Sequence, residues 1–486
     1  MWERARSRHP TPGVASKLAP TISKHGHGKG FLLSARPCND RAVPAPRQPL
    51  QNVLWLVGER VLRTVITATV LGVVARHLEP AGFGRLNFAL AVAAIATALA
   101  TLSLEGLVVN ELIRRPTQTG AVLGTAFRMR LVAGAVTALL LSGLALVFAP
   151  QDAGLIMTVS LGLMIQPLDV IDLWFQRHLE SRRTAVARFI GLSAGATLKL
   201  WLVASGAGLP AFAWAQVADA GFIGLALVWT CTRTAYHSGA WTWDATIARA
   251  LWTKGSRMAV ATLAVGFAMR FDQLLVRHWL GEKEAGIYFA ATRLVEFAVF
   301  TGSTIALSLF PRLAASHARS DAEYREKLQA LSDVLSALGW IFALGCTVLG
   351  WAVIALLYGR AYAAAVPVLV VQGWAALIAI NAISRWQHIL LAAPPLLNLG
   401  AALLHFVTVA LLGAWLIPGA GTVGAALALL AANLVSGLST SYLFPQLRPY
   451  AAIQLRGLLI PFTPGRWRAL LAQFHPSTAD APSSRT

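Results

Sequence analysis

The sequence predicts an all-α, polytopic membrane protein with about 12 transmembrane helices in two parallel six-helix lobes around a central cavity. Of its 486 residues, 56% are hydrophobic and only 13% are charged, which are too few charges to cover a soluble protein of this length. Long apolar stretches follow one another along the chain. The Lys and Arg residues between them are alternately crowded and sparse, which is typical of loops on opposite sides of a membrane.

The apolar stretches define the individual spans. A membrane-crossing helix needs about 20 mostly apolar residues, and twelve stretches meet this requirement. We place them at residues 53–75, 86–110, 122–148, 154–175, 188–205, 209–231, 257–280, 286–309, 332–357, 363–390, 394–417 and 421–445.

The net charge of +20 is explained by topology. The two termini and the loops after even-numbered spans hold 31 of the 41 Lys and Arg residues, and the opposite loops hold five. Because cytoplasmic loops retain basic residues, we expect both termini in the cytoplasm and no nucleic-acid partner. The basic loops are assigned Arg114, Arg115, Arg128, Arg130, Arg177, Arg182, Arg183, Arg188, Arg233, Arg249, Lys254, Arg257, Arg312, Arg319, Arg325, Lys327 and Arg385.

Composition divides the chain into five segments. Residues 1–50 are rich in Pro, Gly, Ser and Arg without hydrophobic periodicity, which indicates a disordered basic tail or a true start codon further downstream. They lack the apolar core of a signal peptide. The other segments are an N-terminal lobe of spans 1–6, a cytoplasmic inter-lobe linker, a C-terminal lobe of spans 7–12 and a basic cytoplasmic tail, at residues 53–231, 232–256, 257–445 and 446–486.

The chain repeats after about 201 residues. Residues 74–84, where span one turns into span two, match residues 275–286, where span seven turns into span eight. Both contain an Arg-His pair after two apolar residues and continue into a glycine-containing turn. Six spans per lobe is an even number, so both lobes enter the membrane in the same direction. Parallel repeats of this kind are related by an axis along the membrane normal and bind their ligand at the repeat interface.

Five short motifs mark the turns between spans: Leu78-Glu79-Pro80-Ala81-Gly82-Phe83-Gly84, Phe271-Asp272 with Gly281 to Tyr288, Phe310-Pro311-Arg312-Leu313, Leu357-Tyr358-Gly359 with Tyr362 and Pro367, and Ile417-Pro418 with Gly421 to Ala426. Their joint spacing over residues 53–445 resembles that of bacterial polysaccharide-biosynthesis flippases. These are the Wzx-type branch of the superfamily of multidrug/oligosaccharidyl-lipid/polysaccharide exporters. One position departs from the pattern, because Glu79 stands where the family usually has glycine.

The resemblance implies a function and a location. Such proteins move polyprenyl-diphosphate-linked oligosaccharide from the inner to the outer leaflet of the bacterial inner membrane, for O-antigen, capsule or exopolysaccharide synthesis. The implied partners are this lipid-linked oligosaccharide and the membrane lipids. The sequence leaves open whether a polysaccharide polymerase and a chain-length regulator assist.

Basic residues inside spans are the candidate diphosphate-binding groups. A charge at mid-bilayer costs roughly 2.5–3.5 kcal/mol on insertion scales and therefore faces a cavity or the bundle interior. A guanidinium matches the oxygens of a diphosphate. Arg270 is the strongest candidate, since Asp272 lies about 200° round the helix and cannot neutralise it. The candidates are Arg60, Arg63, Arg270, Lys199 and Arg293.

Several of these candidates have a structural alternative. Glu59 is placed to neutralise Arg63 at i,i+4, while Arg60 reaches the cytoplasmic interface. Arg293 and Glu296 are placed to satisfy each other at i,i+3.

Acidic residues of the N-terminal lobe are candidates for binding a coupling cation or proton. Asp169 and Asp172 lie on one face of span four, and Asp219 lies on span six. Salt bridges to Lys199 or to the loop arginines are the favoured alternative, in which Lys199 is a counter-ion.

Other function classes are weighed against the flippase. A cation-coupled multidrug exporter should place acidic and aromatic residues in its cavity, and a peptidoglycan-precursor flippase should carry two further spans. A membrane-embedded glycosyltransferase or polysaccharide polymerase is disfavoured, because the external loops have about ten residues or fewer and no GxxxxGK[ST] is present. Three scattered cysteines without CxxC predict no metal and no cofactor, and we expect no enzymatic activity.

Overall fold

A computed structural model describes the protein at residues 49–178, 181–233, 240–394, 396–463 and 465–466. Side chains are described from Ile66 onward. Residues 1–56 and residues 57–486 form two compact units. Within the first unit, the described part is the start of one helix.

The described residues form α-helices, with no β-strand among them. The helices are α1 (Pro49–Ala100), α2 (Glu105–Arg114), α3 (Thr119–Phe148), α4 (Ala153–Leu161), α5 (Val170–Arg177), α6 (Ser181–Ala204), α7 (Leu209–Thr232), α8 (Ala245–Ala268), α9 (Phe271–His317), α10 (Asp321–Leu357), α11 (Ala365–Ala392), α12 (Leu396–Leu434), α13 (Thr440–Leu443) and α14 (Arg448–Leu458). Short 3₁₀ segments and one π-helical turn, Val435–Ser439, connect some of them.

Kinks explain how these helices give the predicted number of spans. In the described part of the chain, nine stretches are long and apolar enough to cross a membrane. Three of them have 47 or 49 residues, more than twice the roughly 20 that a span needs, and each contains one non-helical residue: Glu79, Gly281 or Gly421. Dividing the three at these residues gives twelve segments. The segment 271–280 is too short to cross alone and completes span seven together with α8, which confirms the predicted twelve spans.

The kinks at Glu79 and Gly281 and several short turns gather at one end of the bundle. We call this the turn end; it comprises residues 76–85, 149–152, 205–208, 277–286 and 355–362, which contact one another through hydrogen bonds and close backbone packing. The opposite end, where the predicted basic loops lie, is called the basic end.

Two glycines bring the lobes into contact at the turn end. A Cβ atom at Gly84 would overlap the carbonyl oxygen of Glu282, and a Cβ atom at Gly286 would overlap the carbonyl oxygen of Pro80. Positions 84 and 286 are 202 residues apart, as are positions 80 and 282. The two contacts therefore exchange under a pseudo-two-fold rotation, which is the symmetry that the sequence repeat predicts.

The arginines of the repeat cross between the lobes in the same reciprocal way. Arg76 donates from Nε to the carbonyl oxygen of Leu357 (3.0 Å), at the end of α10 in the C-terminal lobe. Arg277 donates to Asp152 Oδ2 (2.7 Å), which follows α3 in the N-terminal lobe. Since α3 and α10 form the third and ninth spans, the two contacts are equivalent. Arg85 Nε also donates to Asp152 Oδ1 (2.7 Å), so a buried carboxylate holds two guanidiniums.

Two spans break part-way, one in each lobe. Span two, expected to be continuous over residues 86–110, is interrupted between α1 and α2, where Leu102 and Ser103 have φ angles of 52° and 47°. Span seven, expected to be continuous over residues 257–280, is interrupted between α8 and α9. There Arg270 has a non-helical φ of −122° and ψ of 8°. Hydropathy does not register such breaks because the flanking residues stay apolar.

Helix α8 begins inside the expected linker, residues 232–256. The side chain of Asp244 accepts hydrogen bonds from the backbone N–H groups of Thr246 (2.7 Å) and Ile247 (3.1 Å). The bonds from Ile247 and Thr246 lower the pKa of Asp244, since they stabilise the carboxylate. Ile247 and Leu251 then pack into the core of the N-terminal lobe. The linker boundaries themselves stay a prediction.

The start of the expected C-terminal tail, residues 446–486, is folded against the C-terminal lobe. Trp340 on α10 donates from Nε1 to the carbonyl oxygen of Leu458 at the end of α14 (2.9 Å). Arg466 donates to both carboxylate oxygens of Asp333, at 2.9 and 2.7 Å. Helix α14 is therefore part of the lobe.

Replacing Glu79 by glycine should stabilise the protein. Glu79 has φ 55° and ψ 171°, and its counterpart Gly281 has φ 82° and ψ −168°; this region is almost confined to glycine and costs another residue about 1–3 kcal/mol. The added freedom of an unfolded glycine offsets roughly 0.5–1 kcal/mol of that gain. We expect Glu79→Gly to raise the midpoint of thermal unfolding in detergent.

The matched control is Glu79→Ala, which removes the carboxylate and keeps the strain. An equal rise in both variants would show that the side chain, and not the backbone, causes the effect.

Replacing Asp152 by asparagine should loosen the turn end. The side chain of Asp152 is 2% exposed and faces two guanidiniums. We expect the free energy of unfolding to fall by about 3 kcal/mol. This is the lower end for a broken buried ion pair, because Arg85 is partly hydrated. In a background without native cysteines, Ala285→Cys reports the opening through faster labelling by a membrane-impermeant maleimide. Glu282→Gln, which removes a more exposed acid beside Arg277, is the control. Equal labelling rates in the Asp152 variant and the parent would contradict the prediction.

Candidate functional site

A cavity of about 400 Å³ with several polar side chains in its lining lies between the two helix breaks. One wall comes from span two and the start of α2, and the other from α8 and Arg270. Its hydroxyl groups come from threonine and serine, and it contains one acidic and one basic side chain. We call it the Arg270 cavity; its lining residues are Ala94, Ile95, Thr97, Ala98, Thr101, Ser103, Glu105, Thr262, Gly266 and Arg270.

Arg270 is the basic group of this cavity. The break before α9 places it at the helix cap, where it is half-buried. Among the residues that the structure describes, its guanidinium has no hydrogen-bond or ion-pair partner. The neighbouring acid Asp272 instead accepts a hydrogen bond from the Tyr288 hydroxyl (2.5 Å). The guanidinium of Arg270 is therefore available to bind an anionic ligand, and this binding role stays a prediction.

Lys199 and Asp219 do not reach the Arg270 cavity. Lys199 Nζ donates to Asp219 Oδ2 across α6 and α7, in an ion pair within the N-terminal lobe. The other carboxylate oxygen of Asp219 is buried without a partner in the described part of the chain. Lys199 is thus placed as a counter-ion of Asp219, as the alternative interpretation of the sequence expected. Its role as a diphosphate-binding group stays a prediction.

The remaining acidic candidates also lie among cations. Asp172 Oδ2 accepts a hydrogen bond from Arg188 Nη2 (2.8 Å) and one from Gln176 (3.3 Å). Asp169 interacts electrostatically with Arg188 and with Arg130. Both aspartates therefore interact with basic residues of the N-terminal lobe, and a role in cation or proton coupling stays a prediction.

Arg293 is bound on both sides of its guanidinium. It donates from Nε to Asn87 Oδ1 (2.9 Å) and from Nη1 to Glu296 Oε2 (2.7 Å). Asn87 belongs to span two, so Arg293 ties the C-terminal lobe to the N-terminal lobe. The side chains of Arg60 and Arg63 lie outside the described part of the chain, although both positions are helical in α1.

Arg130 is a buried arginine that the sequence reading placed in a loop. It lies eleven residues into α3, about 16 Å along the helix axis at 1.5 Å per residue, and is 1% exposed. Its Nε and Nη2 atoms have no hydrogen-bond partner among the described residues. Glu105 of the Arg270 cavity interacts with it electrostatically. The signal was available, because the predicted third span, residues 122–148, already enclosed this arginine.

Arg385 was also assigned to a loop and is buried inside α11. Its Nη1 atom donates to the carbonyl oxygens of Ser436 (2.6 Å) and Gly437 (2.8 Å). These residues belong to the π-helical turn, which frees carbonyl groups from the regular helical pattern. Sequence periodicity could not predict this contact because a π-turn leaves no clear compositional signature.

Metal binding has no support in the described residues. No group of three or more His, Cys, Asp or Glu side chains there is arranged to hold a metal ion.

Solved structures of membrane transporters have a similar fold. A multidrug resistance MATE family transporter of the MOP superfamily, in an inward-facing conformation, has a TM-score of 0.60 at 12% identity, covering 85% of this chain and 96% of its own. The lipid II flippase MurJ, in an inward closed conformation, also has a TM-score of 0.60, at 11% identity and coverages of 83% and 92%. A MOP superfamily transporter from Pyrococcus furiosus has 0.57 at 12% identity, with coverages of 86% and 94%.

The sequence itself gives the family. It matches the family described as polysaccharide biosynthesis protein over residues 73–367, and no curated protein matches it significantly. The match covers more than half of the chain and confirms the resemblance to polysaccharide-biosynthesis proteins of the exporter superfamily. The chain is a multi-pass membrane protein that belongs to the polysaccharide biosynthesis protein family.

Proposed function

We propose that this protein is a flippase that moves a polyprenyl-diphosphate-linked oligosaccharide across the bacterial inner membrane by alternating access. The observation that carries the proposal is the guanidinium of Arg270, which has no partner among the described residues and lies in a cavity lined partly by hydroxyl groups. The family match supports the same substrate class. After release on the far side, the repeat unit would be a substrate for a polysaccharide polymerase with its chain-length regulator.

The chemistry of the Arg270 cavity suits a diphosphate head group. A guanidinium donates two parallel hydrogen bonds to phosphate oxygens, and at 4 Å and an effective dielectric constant of 20 one pair of unit charges gains about 4 kcal/mol. The hydroxyl groups of Thr97, Thr101, Ser103 and Thr262 are suited to hydrogen-bond sugar. A volume of about 400 Å³ is at the low end for small-molecule sites, so we assign it to the diphosphate and the first sugar.

The conformation fits one stage of such a cycle. The turn end is closed by Arg76, Arg277 and the glycine contacts. The fold is more similar to the inward-facing MATE transporter, at a TM-score of 0.60, than to an outward-facing one, at 0.53. With the basic end in the cytoplasm, as the charge distribution predicts, the structure corresponds to an inward-facing state that awaits substrate.

A cation-coupled multidrug exporter is the second candidate function. Glu105 lines the same cavity, and a carboxylate attracts a cationic drug. Against this, Glu105 is the one acid in the described lining of the Arg270 cavity. Asp172 and Asp219 lie outside that lining and are paired with basic residues. An equal number of acidic and basic groups gives no preference for cations, whereas the family match favours a lipid-linked saccharide.

Flipping by the purified protein tests the proposal. In vesicles that contain a fluorescent polyprenyl-diphosphate oligosaccharide, the wild-type protein should move the label between leaflets. Arg270→Ala should lower the rate about 10- to 100-fold, since each tenfold corresponds to 1.4 kcal/mol of lost interaction. Arg257→Ala is the control, because Arg257 is an exposed arginine on α8 outside the cavity lining.

Two other outcomes would contradict parts of the proposal. Equal rates for wild type and Arg270→Ala would return Arg270 to a structural role. Transport of a free cationic drug without flipping of the lipid would replace the flippase by the exporter.

A further inference from the structure

A second cavity lies in line with the Arg270 cavity, between the same helices. It has a volume of about 360 Å³ and lies at the basic end between α2 and α8. Residues 107–114 and 250–254 line it, whereas residues 94–105 and 262–270 line the Arg270 cavity. Both walls therefore run in the same order, from the basic end to Arg270. We call this second space the basic-end cavity.

The basic-end cavity carries two uncompensated positive charges. Arg114, the last residue of α2, and Lys254 on α8 both line it, and neither has an ion-pair partner among the described residues. The cavity also contains Glu111, but that carboxylate is bound by Arg115 Nε at 2.6 Å. The two cations are exposed residues, one on each of the helices that form the cavity, and the acid beside them is paired with Arg115. An anion is the ligand that this charge distribution favours.

A close contact between the two walls lies, along both helices, between the residues that line the two cavities. A Cβ atom at Gly255 would lie 2.5 Å from Leu104 Cδ2 and 3.0 Å from the carbonyl oxygen of Leu102. Leu102 and Ser103 form the break in span two, with positive φ angles that are strained for residues with side chains. Leu104 forms this constriction from a non-helical segment and is buried in the core of the N-terminal lobe, so the head group passes only when the break in span two rearranges.

We infer that Arg114 and Lys254 form a loading site for the diphosphate of the lipid-linked substrate, from which the head group passes the Leu104–Gly255 constriction to reach Arg270. This inference rests on the proposed flippase function and adds where the anion first binds. The diphosphate meets two cations at the basic end and a third at the cavity, so attraction continues along the groove between α2 and α8. The lipid tail remains in the bilayer beside it.

The test compares two double variants that remove the same charge. Arg114→Gln/Lys254→Gln removes both cations of the loading site, and Arg249→Gln/Arg257→Gln removes two exposed basic residues of α8 that do not line the cavity. Flipping rates are measured against substrate concentration in vesicles of phosphatidylcholine alone and in vesicles that also contain phosphatidylglycerol. Binding of farnesyl diphosphate to each protein in detergent is measured in parallel.

The loading-site variant should raise the half-saturating substrate concentration about tenfold in both kinds of vesicle and leave the maximal rate near that of the wild type. The control variant should match the wild type. An unchanged half-saturating concentration would overturn the inference and leave the flippase function in place. A difference confined to phosphatidylglycerol vesicles would also overturn it, because the cavity would then bind anionic membrane lipid.

Failure of the flippase function gives a different result. A wild-type protein that flips no lipid but binds farnesyl diphosphate, more weakly after the Arg114/Lys254 change, would keep the anion site and remove the proposed function. If neither flipping nor binding occurs, both are wrong.

A second variant tests the site if the charge variant folds poorly. Ala250→Trp places a large side chain in the basic-end cavity, and Thr253→Trp adds the same side chain at an exposed position of α8 outside its lining. Only Ala250→Trp should slow loading of the substrate. Equal rates for the two variants would contradict the route.

Discussion

The close approach of Gly84 and Gly286 is the contact on which the rest of the structure depends. Neither position has room for a Cβ atom, because each faces a backbone carbonyl oxygen of the other lobe. The contact brings the kinks at Glu79 and Gly281 together and places the repeat arginines within reach of the opposite lobe. Because the contact holds the turn end closed, the lobes must separate there before that end can open.

Charge inside the membrane then falls into two groups. Lys199, Asp172 and Arg293 find partners nearby, which offsets the cost of burying a charge. Arg270 lies at a helix break in the cavity and has no partner in the described residues. A transporter needs such an unsatisfied group, because a charge that is already paired offers little to a substrate. The position of this group between the lobes exposes it to whichever end is open.

Much of this arrangement was predictable from local patterns. Hydropathy and loop charge gave the twelve spans, and the Arg-His repeat gave the symmetry, because both depend on short-range composition. The candidate Arg270 followed from helix periodicity, since Asp272 points elsewhere. The helix break that exposes it, the burial of Arg130 and the π-turn around Arg385 were missed. These three features depend on tertiary packing between distant segments, which hydropathy and residue spacing do not predict.

The most direct test of the account is the distance between the lobes at each end, measured by pulsed electron paramagnetic resonance during exposure to substrate. Spin labels at Ser205 and Ala363 report the turn end, and labels at Thr232 and Ala318 report the basic end; all four positions are exposed. The account predicts that lipid-linked oligosaccharide lengthens the first distance and shortens the second in the same sample. Two distances that change together, or stay constant while lipid is flipped, would contradict alternating access.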